Sequence, residues 1–156
     1  MILEDQAVPK FYKRFRDFTK ISTAQLKGSK TAPVAISQRY GPKYYPIVRH
    51  VHVKKLAGSV AYVANGNAVI NIGMSVFTPV LTLPISILTT TVEAIAQWYG
   101  VGAQPSDVWT ADTISNDNWA SNFYWTLSLP TADLVTGDGD VEVCLLGDLI
   151  PKFPVL

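Results

Sequence analysis

Cysteine is almost missing from this chain of 156 residues, which contains Cys144 and no other. A single cysteine excludes an intrachain disulfide, and no pattern of neighbouring ligands supports metal binding or nucleophilic chemistry at its thiol. Because Cys144 lies in an alternating apolar run, residues 141–146, we expect its thiol to be buried in the core.

Long uninterrupted apolar segments are missing as well. The most apolar region, residues 68–88, is broken by Pro79, Pro84 and several polar residues, a pattern that favours strands over a membrane-spanning helix. The first residues lack the basic start and the apolar stretch of a signal peptide, so the sequence predicts none.

Charged residues are scarce: they make up 16% of the chain, against about 25% in average soluble domains. Residues 56–156 contain a single base, Lys152, and nine acids, which gives a net charge of −8. Two explanations of the low content of charged residues stay open. One is a compact β-domain with a Thr-, Ser- and Asn-rich surface, and the other is a surface covered by further subunits.

Nearly all the bases of the chain lie in residues 1–55. This segment has twelve Lys and Arg side chains and three acids, which gives a net charge of +9. Halves of opposite charge predict a basic arm attached to a near-neutral or acidic body. The change of pattern near residue 47 places the arm at residues 1–46 and the body at residues 47–156. A cationic arm needs an anionic partner, and we consider nucleic acid first and a membrane surface second.

The predicted arm has two parts. In residues 7–20, Phe11, Phe15 and Phe18 recur at helical spacing, which predicts a short amphipathic basic helix. Such a helix would pack on the body, face nucleic acid or lie on a membrane. Residues 21–46 show no clean periodicity and interleave bases with three tyrosines, which predicts an extended segment that stacks on bases or contacts other subunits.

All nine bases of the predicted arm are candidates for contacts with nucleic-acid phosphates, because a Lys or Arg side chain neutralises a phosphate without reading its sequence. These residues are Lys10, Lys13, Arg14, Arg16, Lys20, Lys27, Lys30, Arg39 and Lys43.

The body is predicted to consist of strands. Residues 47–56 alternate, with Val51 and Val53 on one face and His50, His52 and Lys54 on the other. The next expected elements are a hairpin of residues 59–64 and 67–72 around Asn65-Gly66, then an edge strand or a segment bent at proline at 80–88 and a short helix at 92–100. The last expected elements are a strand at 119–129 with Phe123, Trp125, Leu127 and Leu129 on one face, a turn at 137–140 and a final strand at 141–150.

No motif for catalysis is found. Phosphate-binding loops, a nucleophile elbow and paired zinc ligands are all missing from the sequence. The His50-x-His52 pair lies on one strand face and lacks a third ligand, and Asp138 to Asp140 resemble part of a calcium loop without its later ligands. The sequence therefore predicts a protein that is not an enzyme and that carries no metal or cofactor.

Seven or eight β-segments with one short helix in a connection indicate an antiparallel sandwich or barrel. A basic N-terminal segment followed by such a charge-poor β-body resembles the layout of small viral coat proteins with a single jelly-roll domain. The resemblance covers the whole chain and is one of architecture. It implies an all-β single jelly roll, a virion location, and many copies in an icosahedral shell whose interior is lined by the basic arm facing the genome.

Two alternatives stay open beside the coat protein. One is a non-enzymatic nucleic-acid-binding module of β-barrel type. The other is a virion protein whose basic arm faces a membrane, because Phe and Tyr residues interrupt the bases of the arm, which do not form a dense Arg/Lys run.

Overall fold

The computed structural model describes residues 13–38, 44–64, 69–74, 79–99, 125–129 and 133–151. In these residues the chain forms strands and one short α-helix, together with a 3-10 turn at Ile85–Ile87. The elements are β1 (Lys13–Ile21), α1 (Thr23–Gly28), β2 (Val34–Ala35), β3 (Tyr44–Lys55), β4 (Val63–Ala64), β5 (Val69–Met74), β6 (Pro79–Pro84), β7 (Ala94–Tyr99), β8 (Trp125–Ser128), β9 (Leu134–Thr136) and β10 (Val141–Pro151).

Eight of the strands form two antiparallel four-stranded sheets. Sheet A has the order β1-β10-β3-β7, and sheet B has the order β2-β8-β5-β6. The two short strands β4 and β9 pair with each other. The predicted all-β class is therefore confirmed.

One hydrophobic core joins the two sheets. Alternate residues of each long strand are buried, as the two-residue period of a strand requires. Each fully buried Val, Leu or Ile side chain stabilises the fold by about 1.5–3 kcal/mol relative to an exposed one. From sheet A the core includes Phe15, Val51, Val53, Val143 and Leu145, and from sheet B it includes Ile70, Ile72, Leu81, Leu83, Trp125 and Leu127.

The helix predicted within residues 7–20 is wrong over its described part, because residues 13–21 form β1. Nine consecutive residues of β1 pair with β10, from Lys13 opposite Leu149 to Ile21 opposite Val141. Phe15 is buried and Phe18 is exposed on the opposite face, so these two rings do not share a helical stripe. The helical spacing of the phenylalanines is a local pattern, and cross-strand pairing with β10 overrides it.

Residues 13–38 of the predicted arm belong to the β-fold. They contribute β1 to sheet A, β2 to sheet B, and α1, whose Leu26 is fully buried. The short helix begins after Ser22, whose hydroxyl accepts a hydrogen bond from the backbone N–H of Gln25 in a capping box. The one α-helix among the described residues thus lies before residue 47, in the segment assigned to the arm.

The helix predicted at residues 92–100 is also wrong, because residues 94–99 form β7. Ala94, Ala96 and Trp98 pack against the core, and the residues between them are exposed. Glu93, expected to favour the first turn of a helix, instead forms an ion pair with Lys54 of the neighbouring strand (3.0 Å).

The predicted hairpin of residues 59–72 is wrong as well. Its two halves lie in different sheets, since β4 pairs with β9 and β5 pairs with β6 and β8. The Asn65-Gly66 turn lies outside the described residues. The strand predictions at β3, β8 and β10 are confirmed, as is the edge position of β6 in sheet B. Trp125, Leu127 and Leu129 are buried together, and Phe123 lies outside the described residues.

Residues 137–140, predicted as a turn, connect β9 to β10 and are held against the segment after β3. Gly137 and Gly139 both have positive φ angles, of 106° and 98°. The Tyr62 hydroxyl donates to the Gly139 carbonyl (2.8 Å), and burial of the ring raises the pKa of this phenol. A Cβ atom at Gly137 would approach the Tyr62 backbone to 2.5 Å, so only glycine fits there.

Gly137→Ala is therefore expected to lower the free energy of unfolding by about 2 kcal/mol, because it combines an unfavourable φ with a steric clash. Chemical denaturation measures the change. Gly28→Ala is the matched control: no atom lies within 4 Å of a Cβ placed at Gly28, and its effect should stay within about 1 kcal/mol. Equal effects of the two substitutions would contradict the assigned turn.

The carboxyl group of Asp138 makes the stability of the same segment depend on pH. Hydrogen bonds from the Ser59 hydroxyl (2.5 Å) and the Val60 backbone N–H (2.7 Å) lower the pKa of this carboxyl. A lowered folded-state pKa stabilises the fold above the unfolded value of about 3.9, and the contribution is lost as the pH falls below it.

We expect the Asp138→Asn variant to lose less stability than the wild-type protein as the pH falls from 5 to below about 4. Thermal unfolding measured across this range tests the expectation. Asp133→Asn, which removes an exposed carboxylate paired with Lys30, is the control. An unchanged acid dependence in the Asp138 variant would refute the proposed role of its hydrogen bonds.

Candidate nucleic-acid interface

Sheet A has one face in the core and one face directed away from it, which we call the outer face. Its position follows from the alternation of burial along the strands. The outer face consists of Arg14, Arg16, Phe18 and Lys20 from β1, Glu142, Cys144, Leu146 and Asp148 from β10, His50, His52 and Lys54 from β3, and Ile95, Gln97 and Tyr99 from β7.

Strand register arranges these side chains in rows across the face. One row runs Phe18, Cys144, His52, Gln97, and its neighbour runs Arg16, Leu146, His50, Tyr99. Directly opposite residues in antiparallel strands have Cβ atoms about 4.5–5.5 Å apart, so neighbouring side chains of a row lie close together. Charged, aromatic and imidazole groups from three separate parts of the sequence therefore meet on one surface.

The basic half of the sequence is partly neutralised by the acidic half in the fold. Each of the four ion pairs between described residues joins a base from residues 1–55 to an acid from residues 56–156. These pairs are Lys20–Asp140 (3.2 Å), Lys30–Asp133 (3.3 Å), Arg49–Asp148 (3.2 Å) and Lys54–Glu93 (3.0 Å). The charge asymmetry of the sequence is thus smaller on the folded surface than in the linear chain.

Arg14 and Arg16 differ from these bases because they form no ion pair with any described residue. Both are exposed and lie on the same side of β1, with Phe15 between them directed into the core. An unpaired guanidinium can bind a phosphate through two parallel hydrogen bonds. Lys20 is also exposed, and an exposed ion pair such as its contact with Asp140 contributes little stability, so an external phosphate can replace the carboxylate.

Exposed aromatic rings lie on the same face as these cations. Phe18 is 59% exposed, Tyr99 is 64% exposed, and the imidazole of His50 stacks on the Tyr99 ring with centroids 4.3 Å apart. The Tyr99 hydroxyl donates to the side-chain carbonyl of Gln97, which orients the ring. Exposed rings beside cations are the combination that proteins use to stack unpaired bases and hold their backbone.

The histidine prediction is confirmed in its geometry, because His50 and His52 share the outer face. The Nε2 atoms of both rings are buried and lack a hydrogen-bond partner among the described residues. Cys144 lies between Phe18 and His52 and is half-buried, so the expectation of a core thiol is wrong. The residues of β10 that point into the core are those at odd positions, such as Val143 and Leu145.

Metal sites receive no support from the described part of the chain. It contains no group of three or more His, Cys, Asp or Glu side chains that could hold an ion. Both carboxylates of the partial calcium loop have protein partners: Asp138 accepts from Ser59 and Val60, and Asp140 accepts from the Thr23 backbone N–H (3.1 Å).

The nine predicted nucleic-acid-binding bases therefore separate into groups. Arg14, Arg16 and Lys20 lie together on the outer face, and Lys13 is exposed at the start of the same strand. Lys27 lies on α1 and Lys30 follows it, outside sheet A. Lys10, Arg39 and Lys43 lie outside the described residues.

Sequence reasoning assigned several members of the face to the body, including His50, His52 and Lys54. The alternation of Arg14, Arg16, Phe18 and Lys20 was a readable signal for a strand face. The sequence did not predict which side chains lie next to these four, because that depends on the pairing of β1 with a strand more than a hundred residues away.

Replacing both Arg14 and Arg16 with Ala should weaken binding of single-stranded nucleic acid and make it less sensitive to salt. Each lost phosphate contact lowers the slope of log K against log salt by about 0.7 on single strands, so we expect a decrease of about 1.4. Fluorescence anisotropy with a labelled oligonucleotide over a series of salt concentrations measures both quantities.

The matched control removes the same charge elsewhere, with Lys27→Ala and Lys30→Ala combined. Its affinity and salt slope should change less than those of the arginine variant. Equal changes would mean that net charge, and not the outer face, governs binding.

No protein-family model, curated protein or solved structure matches the chain. None of the helices in the described residues is long and apolar enough to cross a membrane. Function must therefore be inferred from the strand order and from the chemistry of the outer face.

Proposed function

We propose that the protein is a viral coat protein with a single jelly-roll domain, that its copies assemble into a closed icosahedral shell, and that the outer face of sheet A is directed toward the genome. The observation that carries the proposal is the strand order. If β4 and β9 are set aside, eight strands alternate between two sheets in the orders β1-β10-β3-β7 and β2-β8-β5-β6.

The connections between these eight strands support the jelly roll. Successive strands cross from one sheet to the other at every step except one, and the exception is β5 to β6, which are neighbours in sheet B. A jelly roll is a double sheet of eight antiparallel strands wound in this manner, and viral shell domains are among its main users. The core between the sheets is hydrophobic, as a structural domain requires.

Exposed apolar side chains away from the outer face support contacts between copies. Val63 on β4 and Val135 on β9 are 55% and 62% exposed, and Val60 just before β4 is 50% exposed. Exposed apolar side chains at these positions are available for contacts with another copy. In a closed shell each such contact is repeated many times, so contacts that are weak singly produce a stable assembly.

Binding to the genome is supported by Arg14 and Arg16, which keep their charges free of described acids. Phosphate contacts of this kind are independent of sequence, which suits a coat protein that packages an entire genome. The same cations would also attract anionic lipids, so a membrane-facing role is a distinct outcome of the experiments below.

Electron microscopy and light scattering of the purified protein test assembly. We expect closed particles of uniform size, and their nucleic-acid content can be measured by absorbance. A stable monomer that binds oligonucleotides would favour the nucleic-acid-binding module, and binding to anionic vesicles without binding to nucleic acid would favour the membrane-facing role. Either result would overturn the coat-protein proposal.

Val63→Asp should reduce the assembled fraction by at least about tenfold, because a charge in an apolar contact must be desolvated at every copy of the interface. Sedimentation gives the assembled fraction. Ser86→Asp, which places the same charge at another exposed position, is the control and should assemble normally. If both variants assemble like the wild type, the β4–β9 surface is not a contact between copies.

A further inference from the structure

A small pocket lies within the outer face of sheet A. Its volume is about 200 Å³, below the roughly 300–1,000 Å³ that drug-sized ligands occupy. A single ring system fits such a volume better than a complete larger ligand. The lining residues are Arg16, Phe18, His52, Lys54, Glu142 and Cys144.

The strand register explains why a pocket forms at this position. Cys144 of β10 lies between Phe18 of β1 and His52 of β3 in one row. Its side chain is short and half-buried, whereas both neighbours carry rings. The cysteine therefore forms the floor, and the two rings rise on either side of it.

The polar groups in the pocket have unused hydrogen-bonding capacity. The carboxylate of Glu142 forms no hydrogen bond or ion pair with a described residue, since its cross-strand neighbours Lys20 and Lys54 pair with Asp140 and Glu93 instead. The Nε2 atom of His52 is buried and likewise has no partner in the described part of the chain. A buried nitrogen without a partner is costly, so a ligand that supplies one would be favoured.

A free phosphate is a poor match for this set of groups. The carboxylate of Glu142 repels an anion, and the ring of Phe18 offers it no hydrogen bond. A planar nucleobase suits both side chains, because its ring can stack on Phe18 and its amino group can donate a hydrogen bond to the Glu142 carboxylate. The positive charge of Arg16 is then available for the phosphate attached to the base.

We propose that this pocket binds one unpaired nucleobase that carries an exocyclic amino group, and that it prefers cytosine to uracil or thymine. The amino group of cytosine donates to Glu142, whereas the carbonyl at the same position of uracil or thymine faces the carboxylate as a second acceptor. The base stacks on Phe18, and its phosphate contacts Arg16. This inference rests on the proposed contact between the outer face and nucleic acid.

Fluorescence anisotropy of the full chain with labelled ten-nucleotide oligo(C) and oligo(U) tests the preference. We expect oligo(C) to bind about fivefold more tightly, as one charged hydrogen bond in a partly exposed site implies. Phe18→Ala should weaken the affinities for oligo(C) and oligo(U) by about fivefold or more. Glu142→Gln should make the two affinities equal. Tyr99→Ala, which deletes an exposed ring of the same face outside the pocket, should leave the ratio unchanged.

A second measurement needs no substitution. Cys144 is the only cysteine of the chain, so the rate of its alkylation by iodoacetamide reports whether the pocket is occupied. Oligo(C) should slow the reaction several-fold more than oligo(U) at equal concentration.

The outcomes separate this inference from the proposal on which it rests. If neither oligonucleotide binds at low salt, the proposed genome contact itself fails. If both bind equally and Cys144 is alkylated at the same rate with either, the genome contact stands and the base pocket is refuted.

Discussion

The long strand β10 is the element on which the rest of the fold depends. It pairs with β1 along one edge and with β3 along the other, from Val141 to the last described residues. Its odd-numbered residues complete the core and its even-numbered residues form the centre of the outer face. Without this double pairing the basic strand β1 would have no place in the sheet, and neither the rows of cations and rings nor the pocket would exist.

The sequence predicted the strands that contain a clear two-residue alternation, such as residues 50–54 of β3 and residues 141–145 of β10. It failed at β1 and β7, which lie at the two edges of sheet A. At β1 the phenylalanines also fit a helical period, and at β7 alternate alanines packed on the core gave a weak signal for a strand. Pairing with a distant strand overrode the local preference in both cases.

The candidate site was predictable only in part. A basic N-terminal region was evident from composition, but several of its described cations pair with acids from the remainder of the chain. Arg14 and Arg16 lie on one face of β1 with charges that no described acid compensates, and no count of charges reveals that. Cys144 illustrates the same limit, since one position of register decides whether a side chain faces the core or the pocket.

The separation of the partners in sheet A also sets the order in which the molecule becomes functional. β10 begins about 120 residues after β1 ends, so β1 and β3 leave the ribosome long before the strand that joins them. Such distant pairing is slow, because the intervening chain must be closed into a loop first. The outer face of sheet A therefore forms among the last parts of the fold, and it is complete only after β10 has been synthesised.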